Sequence, residues 1–256
     1  MKKSLCLFPL VIFACILTNT ASNAQSPAID ASKIKFSRSI SNEVSTFYFN
    51  SEVDLSNFYA RASFKEGVIH KKNIPNEYVT MIAALRFRLY NSADSAVKIC
   101  FFPGLYYRYI KLYREENNHL QELPSELPPV RDSIGYRLIT LAPHDSQTLV
   151  AELGFIKTYI NTMRPRLINP EYLNSYITGM QSATRENDLV TFLFCGLLLM
   201  MVLFSIANFV QGGNREFLYY SGYAFFLGIM LLTKAVFTGH SNHISYFLEA
   251  YLDFIL

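Results

Sequence analysis

Few side chains in this sequence are spaced for catalysis or metal binding. His240 and His243 are separated by two residues in a short polar segment, which offers no third ligand for a zinc ion. His144, Asp145 and Ser146 are the residue types of a hydrolytic triad, but as consecutive residues they are typical of a turn. We therefore expect no catalytic residue, no metal site and no cofactor, and we expect that the chain is not an enzyme.

Tyrosines are the candidates for ligand contact. Tyr106, Tyr107, Tyr109 and Tyr113 crowd one predicted strand and the segment that leads into it. Aromatic rings stack on sugars and other flat ligands, although tyrosine also packs well within sheets. We take Tyr106, Tyr107 and Tyr109 as the candidate ligand-binding residues, with core or surface packing as the alternative.

Four polar residues stand out within apolar segments. Asn208 is expected to hydrogen-bond to a neighbouring helix, because lipid tails cannot satisfy its amide. Lys234 lies near the end of its apolar run, where a long side chain can extend to the polar headgroups. Glu249 and Asp253 are four residues apart and therefore share a helix face. Within a membrane such acids face the bundle interior or water, and a position at the interface is the alternative.

These four residues belong to elements that are predicted to lie in a membrane. The apolar runs 189–210 and 217–237 are joined by a short polar link, and about 20 apolar residues span a bilayer. We predict a transmembrane hairpin; the alternative is a pair of core helices in a soluble protein, which rarely stay uncharged for this length. Gly222 and Gly228 permit close helix contact. The stretch 244–256 is predicted to begin a third membrane segment, so that the chain is the front part of a longer protein.

The N-terminus has the pattern of a secretory leader. Residues 1–24 contain two lysines, a short apolar stretch and a small-x-small cleavage site, which predict a signal peptide removed after Ala24. The mature chain then begins at Gln25. The alternative is lipidation at Cys15.

The leader, more than the charge distribution, sets the predicted topology. If it directs 25–186 outward, the link 211–216 lies in the cytoplasm and 238–243 lies outside. We therefore expect a bacterial inner-membrane protein with a periplasmic N-terminal domain and membrane lipid around its helices.

Composition narrows the possible partners. The net charge of +3 is too small and too dispersed to suggest nucleic-acid binding.

Cys100 is the single cysteine between the leader and the first apolar run, so no disulfide framework is expected in that domain.

The domain at 25–186 is predicted to be a β-sandwich or jelly roll. The stretch Tyr78–Tyr90 alternates apolar and polar residues, as a half-buried strand does. A turn at 91–94 leads to a second strand, Ala96–Phe102, so we expect a hairpin over 78–102. Further strands are expected at Lys33–Ile40, Thr46–Phe49, Arg108–Tyr113, Gly135–Leu141 and Thr148–Phe155, and a short helix at Leu55–Arg61.

A helix is predicted directly before the membrane. Asn169, Pro170 and Glu171 form a helix start, with a capping amide, a proline in the first position and an acid in the first turn. The helix is expected at about 170–182. It either couples the β-domain to the first span or merely closes the domain.

The whole arrangement resembles one receptor family. G-L-L-L-M-M-V-L-F-S-I-A-N-F (196–209) and R-E-F-L-Y-Y-S-G-Y-A-F-F-L-G (215–228) resemble the bacterial seven-transmembrane receptors with diverse intracellular signalling modules, the DISM receptors. R-F-R-L-Y-N (86–91), F-F-P-G (101–104) and T-Y-I-N-T-M-R-P-R-L-I-N-P (158–170) resemble the version found in Bacteroidetes-type bacteria.

The resemblance implies an outer jelly-roll domain, similar to carbohydrate-binding modules, that senses an external ligand. It also implies seven helices followed by a cytoplasmic output such as a histidine kinase. This sequence contains two complete spans, the start of a third and no output module. We expect a sensor or receptor fragment that acts with a missing C-terminal part or a separate signalling kinase. Its ligand is a small external molecule, for which carbohydrate is one candidate. The alternative is an inner-membrane binding or scaffold protein that partners a signalling protein.

Overall fold

The structure is a computed structural model, and it describes residues 27–50, 54–55, 59–70, 74–117, 119–156, 161–237 and 242–255. Within helices, the side chains at 79, 183–188, 249 and 252–255 lie outside that description. The leader predicted for 1–24, the alternative lipidation site at Cys15, and His240 also lie outside the described residues.

The described residues form eleven strands, and we number them in chain order. They are β1 (Ile29–Asp30), β2 (Ser37–Ser39), β3 (Ser45–Asn50), β4 (Lys65–Glu66), β5 (Met81–Tyr90), β6 (Val97–Phe102), β7 (Tyr107–Glu116), β8 (His119–Glu122), β9 (Arg137–Leu141), β10 (Ser146–Phe155) and β11 (Arg166–Ile168). Short 3-10 helices occupy Ala31–Lys33, Tyr59–Arg61, Asn76–Thr80 and Pro170–Tyr172.

The strands form two sheets that pack face to face. The larger sheet has the order β4-β3-β5-β10-β7-β8, with β1 paired parallel to β5, and the smaller sheet has the order β2-β11-β6-β9. Phe87 of the larger sheet stacks on Phe101 of the smaller one, with ring centroids 4.9 Å apart. The prediction of a mainly β domain followed by apolar helices is therefore confirmed, and we call the two sheets and their loops the β-domain.

The alternation predicted for β5 is confirmed on its inner face. Ala83, Leu85, Phe87 and Leu89 are fully buried in the core between the sheets. The outer face of the larger sheet is partly covered as well, because Leu55 and other apolar residues form a second cluster on it. That cluster also includes Phe49, Tyr59, Ile82, Ala84, Tyr113 and Val150.

The predicted hairpin over 78–102 is wrong, because β5 and β6 lie in different sheets. Both edges of β5 are already hydrogen-bonded, one to β3 and the other to β10, so no edge remains for β6. Asn91 organises the connection between the sheets. Its amide nitrogen donates to the carbonyl oxygens of Ser95 at 2.7 Å and Ala142 at 2.9 Å, and its amide oxygen accepts from Ala93 N.

Other predicted boundaries vary in accuracy. The first residues predicted for β5 instead belong to the 3-10 helix Asn76–Thr80, and of Lys33–Ile40 only Ser37–Ser39 is a strand. Of the helix predicted at Leu55–Arg61, Leu55 is helical and Tyr59–Arg61 is a 3-10 helix, and 56–58 lie outside the described residues. The strands predicted at Thr46–Phe49, Ala96–Phe102, Arg108–Tyr113, Gly135–Leu141 and Thr148–Phe155 are confirmed to within three residues.

Three α-helices follow: α1 (Leu173–Gly212), α2 (Arg215–Phe237) and α3 (His243–Ile255). The predicted start is confirmed, since Asn169 Oδ1 accepts a hydrogen bond from Glu171 N at 3.0 Å. Gly213 ends α1 in the left-handed conformation with φ of 64°, which glycine adopts without steric cost.

Two of these helices, Leu189–Gly212 within α1 and Arg215–Phe237, are long and apolar enough to cross a membrane. Only 6% and 11% of their most apolar windows are buried, whereas core helices of a soluble protein are mostly buried. At Gly228 an added Cβ would lie 3.8 Å from Leu198 Cβ, so the two helices are in contact there. A Cβ added at Gly222 would have no atom of another described element within 4 Å.

Candidate functional site

The first turns of α1 are fixed to the smaller sheet. Leu173 and Ile177 are buried in a cluster with Cys100, Phe102 and Tyr136. In this cluster the rings of Phe102 and Tyr136 stack with centroids 4.7 Å apart. Burial of two large apolar side chains stabilises such a contact by several kcal/mol, at about 1.5–3 kcal/mol each. The start of α1 is therefore part of the β-domain core.

The same helix continues into the apolar run. It has 40 residues without an interruption, so the separate elements predicted at about 170–182 and 189–210 are one helix. At 1.5 Å per residue its length is about 60 Å. The contact with the smaller sheet and the apolar run Leu189–Gly212 therefore belong to a single continuous helix.

The start of α3 makes a second contact with the β-domain. Asn242 Nδ2 donates to Asp132 Oδ1 at 3.3 Å, and the ring of Tyr246 lies 5.8 Å from that of Tyr106. Ser245 Oγ donates to Phe237 O at 2.7 Å, which links the start of α3 to the end of α2. We call this contact zone the junction; it comprises Tyr106, Asp132, Tyr136, Arg137, Asn161, Leu173, Ile177, Asn242 and Tyr246.

Tyr106 has a strained backbone at the junction. Its φ of 65° lies in the left-handed region, which residues with a Cβ rarely adopt. Its carbonyl oxygen accepts from Asn161 Nδ2 at 2.7 Å and from Ile156 N at 3.3 Å, and these bonds hold the conformation. Such strain costs about 1–3 kcal/mol and occurs often at functional sites.

The loop around Tyr106 is tightly packed against the segment after β10. Gly104 has a φ of 138°, and a Cβ there would lie 1.8 Å from Thr162 O, so only glycine fits. Arg164 N donates to Pro103 O at 2.9 Å across the same approach. Glycine is therefore required where these two loops meet beneath Tyr106.

The junction also contains a buried cation that is held by backbone carbonyl groups rather than by a carboxylate. Arg137 is 9% exposed and donates to the carbonyl oxygens of Ile110, Ile134 and Tyr136 at 2.7–3.0 Å, and it pairs with no carboxylate among the described residues. Burial lowers the pKa of its guanidinium, which stays charged at neutral pH, while the Tyr246 hydroxyl acts weakly in the opposite direction.

Two other polar atoms at the junction lack hydrogen-bond partners among the described residues. The Tyr136 hydroxyl and Asn161 Oδ1 are buried and form no hydrogen bond with any described residue. Burial raises the pKa of Tyr136, so its hydroxyl remains protonated. An unsatisfied buried polar group costs about 1–3 kcal/mol.

The structure corrects the expected surface position of two candidate tyrosines. Tyr107 is 2% exposed within the main core, where its hydroxyl donates to Thr162 O at 3.2 Å. Tyr106 is also buried, facing Tyr246 of α3. Neither ring is available to an external ligand, because both serve as packing residues.

Tyr109 is the candidate tyrosine that lies on the outer face of the larger sheet. Its ring covers Gly154 of β10, where an added Cβ would lie 2.5 Å from Tyr109 Cε1. Beside it, Tyr113 donates to the buried carboxylate Glu152 at 3.0 Å, and Lys111 Nζ lies 5.9 Å from the Tyr109 ring centroid. Burial, followed by the charge of Glu152, raises the pKa of Tyr109 above its ordinary value.

The polar residues of the apolar segments are placed differently from expectation. Asn208 is half-buried and donates to Phe204 O of its own helix at 2.8 Å, whereas a bond to a neighbouring helix was predicted. The carbonyl four residues earlier is the acceptor within closest reach of its side chain. Lys234 lies in the last turn of α2. Glu249 and Asp253 are four residues apart on α3, and their side chains lie outside the described residues.

Among the described residues, His144, Asp145 and Ser146 each contact a different residue and do not form a triad. His144 lies in a turn and contacts Asp94 at 2.9 Å, while Ser146 Oγ accepts from Arg88 Nε. Among the described residues, histidine, cysteine and acidic side chains form no group of three that could hold a metal ion. Cys100 is a buried free thiol whose pKa burial raises to about 12.

Asp132, Arg137 and Asn161 were not among the site residues predicted from the sequence. Arg137 carried a weak signal, because on the predicted strand it alternates with Ile139 and Leu141 and so belongs to a buried face. Asp132 and Asn161 lie in loops, and no local pattern indicates what such residues contact.

Comparisons with known proteins add little to these observations. No family model matches the sequence, and no curated protein matches it. Among solved structures, a β-glucosidase from Kluyveromyces marxianus is similar over 63% of this chain and 20% of its own length, with 12% identity and a TM-score of 0.29. A likeness at that level carries no argument about fold or activity.

Proposed function

We propose that this chain is the sensing part of a membrane-bound receptor, with the β-domain on the periplasmic side of a bacterial inner membrane. The observation that carries the proposal is the continuity of α1, whose start is buried in the β-domain and whose end is an apolar run long enough to cross a bilayer. A flexible linker would suffice to hold the β-domain near the membrane. A continuous helix, in contrast, couples the orientation of the β-domain to that of the apolar run.

The junction supplies a mechanism for such transmission. The β-domain holds α1 through Leu173 and Ile177, and it touches α3 through Asp132 and Tyr106. A change in the β-domain that alters the spacing of these contacts moves α1 relative to α3. The strained backbone of Tyr106 and the unpaired atoms of Tyr136 and Asn161 give this contact zone a cost in free energy, as is common at functional sites.

The resemblance to DISM receptors extends the proposal to details of the whole receptor. It implies that the two-sheet domain is a jelly roll related to carbohydrate-binding modules and that a small external ligand binds to it. The output then lies in a C-terminal part beyond this sequence or in a separate signalling kinase. The chain itself is proposed to have no enzymatic activity.

A cross-linking experiment tests the coupling. Cysteines replace Asp132 and Asn242 in the full chain, and disulfide formation is measured in membranes with a panel of mono- and disaccharides, succinate and phosphate. We expect cross-linking without ligand, and at least one probe that changes its rate several-fold. A control pair, Asp94→Cys with Asn242→Cys, should not cross-link, because exposed Asp94 contacts His144 just before β10 begins, at the end of that strand remote from the junction.

Two results would contradict the proposal. One is the failure of the 132–242 pair to cross-link. The other is a probe that binds the β-domain, as measured by calorimetry, but leaves the cross-linking rate unchanged, which favours a binding or scaffold protein instead.

A further inference from the structure

A groove of 340 Å³ lies at the end of the larger sheet that is remote from the junction. It is formed where β5 and β7 end and β10 begins, since Thr148 pairs with Arg88 on one side and Glu115 on the other. The other end of β10 is Phe155, and the junction lies beyond it. Ten residues of strand at about 3.3 Å each separate the two regions by roughly 30 Å. The groove is therefore independent of the helix contacts.

Part of the charge in the groove is satisfied internally. Arg86 forms a bidentate pair with Glu115, with nitrogen–oxygen distances of 2.9 and 3.0 Å. Asp145 accepts a hydrogen bond from the Gln147 amide. Glu116 is 58% exposed and lies 3.5 Å from Arg114, so solvent screens it and it is free to rotate away.

Two arginines in the groove keep unused donors. Arg88 donates through Nε to Ser146 Oγ at 3.1 Å, and its terminal amino groups have no acceptor among the described residues. Arg114 Nε is buried and has no partner in the described part of the chain, so a ligand would reach this side chain through its terminal nitrogens, where the solvent-exposed Glu116 lies 3.5 Å away. The hydroxyl groups of Ser146 and Thr148 lie in the same groove and are additional donors. Guanidinium groups with free donors match the planar oxygens of carboxylates and phosphates.

The groove does not suit a neutral sugar. Neutral sugars are bound by stacking on exposed aromatic rings, and the one aromatic residue lining the groove, Phe87, is fully buried in the core. The volume falls within the range of about 300–1,000 Å³ that is typical of small-molecule sites. The size and the donors therefore favour a small anion over an oligosaccharide.

We propose that this groove binds a small ligand that carries a carboxylate or phosphate group, held by Arg88 and Arg114. The inference rests on the proposed sensing function and names the chemical class of the external signal. Arg86 and Glu115 form the rigid floor beside the ligand, and Ser146 orients Arg88.

The test is calorimetric titration of the purified full chain in detergent with succinate, inorganic phosphate and glucose, each at matched ionic strength. Succinate and phosphate distinguish a carboxylate ligand from a phosphate ligand, and glucose represents the neutral sugars. We expect one of the two anions to give a heat of binding and glucose to give none. Arg88→Gln should weaken binding of the anion at least tenfold, and Arg88→Lys less.

Lys98→Gln is the matched control, since Lys98 is an exposed cation on the smaller sheet and its loss should not change affinity. Arg114→Gln provides a second variant; if it fails to fold, Arg88→Gln and Arg88→Lys still decide the question. The proposal is overturned if neither anion binds at millimolar concentration, or if Arg88→Gln binds as tightly as the parent chain. A sugar that changes the 132–242 cross-linking rate in the same preparation would then reject the groove while leaving the sensing function in place.

Discussion

Tyr107 and Tyr109 are two residues apart on one strand, yet their rings lie on opposite faces of the larger sheet. Alternation predicts that residues i and i+2 share a face. The register between β10 and β7 shifts between Gly154 and Phe155, so that Gly154 pairs with Tyr109 and Phe155 with Tyr107. This bulge turns Tyr107 inward. Its position depends on the pairing of two distant strands, so the sequence identified the tyrosines but not their environments.

The two tyrosines should therefore differ in their contribution to stability. Tyr107→Ala is expected to lower the free energy of unfolding by about 3–5 kcal/mol, because it empties a large volume in the core. Tyr109→Ala, at a partly exposed site, should cost about 1 kcal/mol. Urea titration of the full chain in detergent, followed by the near-ultraviolet circular dichroism of tyrosine, measures both, and the chain has no tryptophan to interfere.

Tyr107→Phe is the control for the hydroxyl group. It keeps the ring and removes the hydrogen bond to Thr162 O, so it should cost about 1 kcal/mol. A larger loss for Tyr109→Ala than for Tyr107→Ala would contradict this account of the core.

Among the elements, α1 differs most from what the sequence indicated. The start at Asn169 and the apolar run from Leu189 were both predictable, from a capping residue and from hydropathy. The polar residues between them suggested a break between two elements. Whether such a segment stays helical depends on the structure at both of its ends, and local composition does not determine that.

A break in α1 should uncouple its two ends. We consider two glycines inserted after Ser182, compared with two alanines inserted at the same place. Each glycine destabilises a helix by about 1 kcal/mol relative to alanine. Spin labels at Lys98→Cys and Leu193→Cys, with Cys195 replaced by serine, report the distance between the smaller sheet and the apolar part of α1.

The parent chain should give a narrow distance distribution. The alanine insertion should keep it narrow but shift it, since two residues rotate the helix by about 200° and lengthen it by about 3 Å. The glycine insertion should broaden it. A distribution that is already broad in the parent chain would show a hinge where we infer a continuous helix.

At the scale of the whole molecule, the sequence predicted the composition of the layers better than their connections. Alternation and apolar runs indicated a β-domain followed by a helical hairpin, because both patterns are local. The wrong hairpin over 78–102 and the unforeseen junction both involve long-range pairing. Asn91, which stabilises the connection from one sheet to the other, bonds to Ala142, and Tyr246 contacts Tyr106 140 residues away. Because the partners are distant in sequence, no local pattern indicates either contact.

The central claim is that the β-domain lies outside the cytoplasm and that α1 crosses the membrane. The most direct test is labelling of introduced cysteines in intact cells with a membrane-impermeant maleimide. Ser125→Cys lies on the surface of the β-domain, and Gly212→Cys lies at the far end of α1. The parent chain is the control, since Cys100 is buried and Cys195 lies within α1. We predict that Ser125→Cys is labelled in intact cells and Gly212→Cys only after permeabilisation; the reverse pattern would place the β-domain in the cytoplasm and contradict the account.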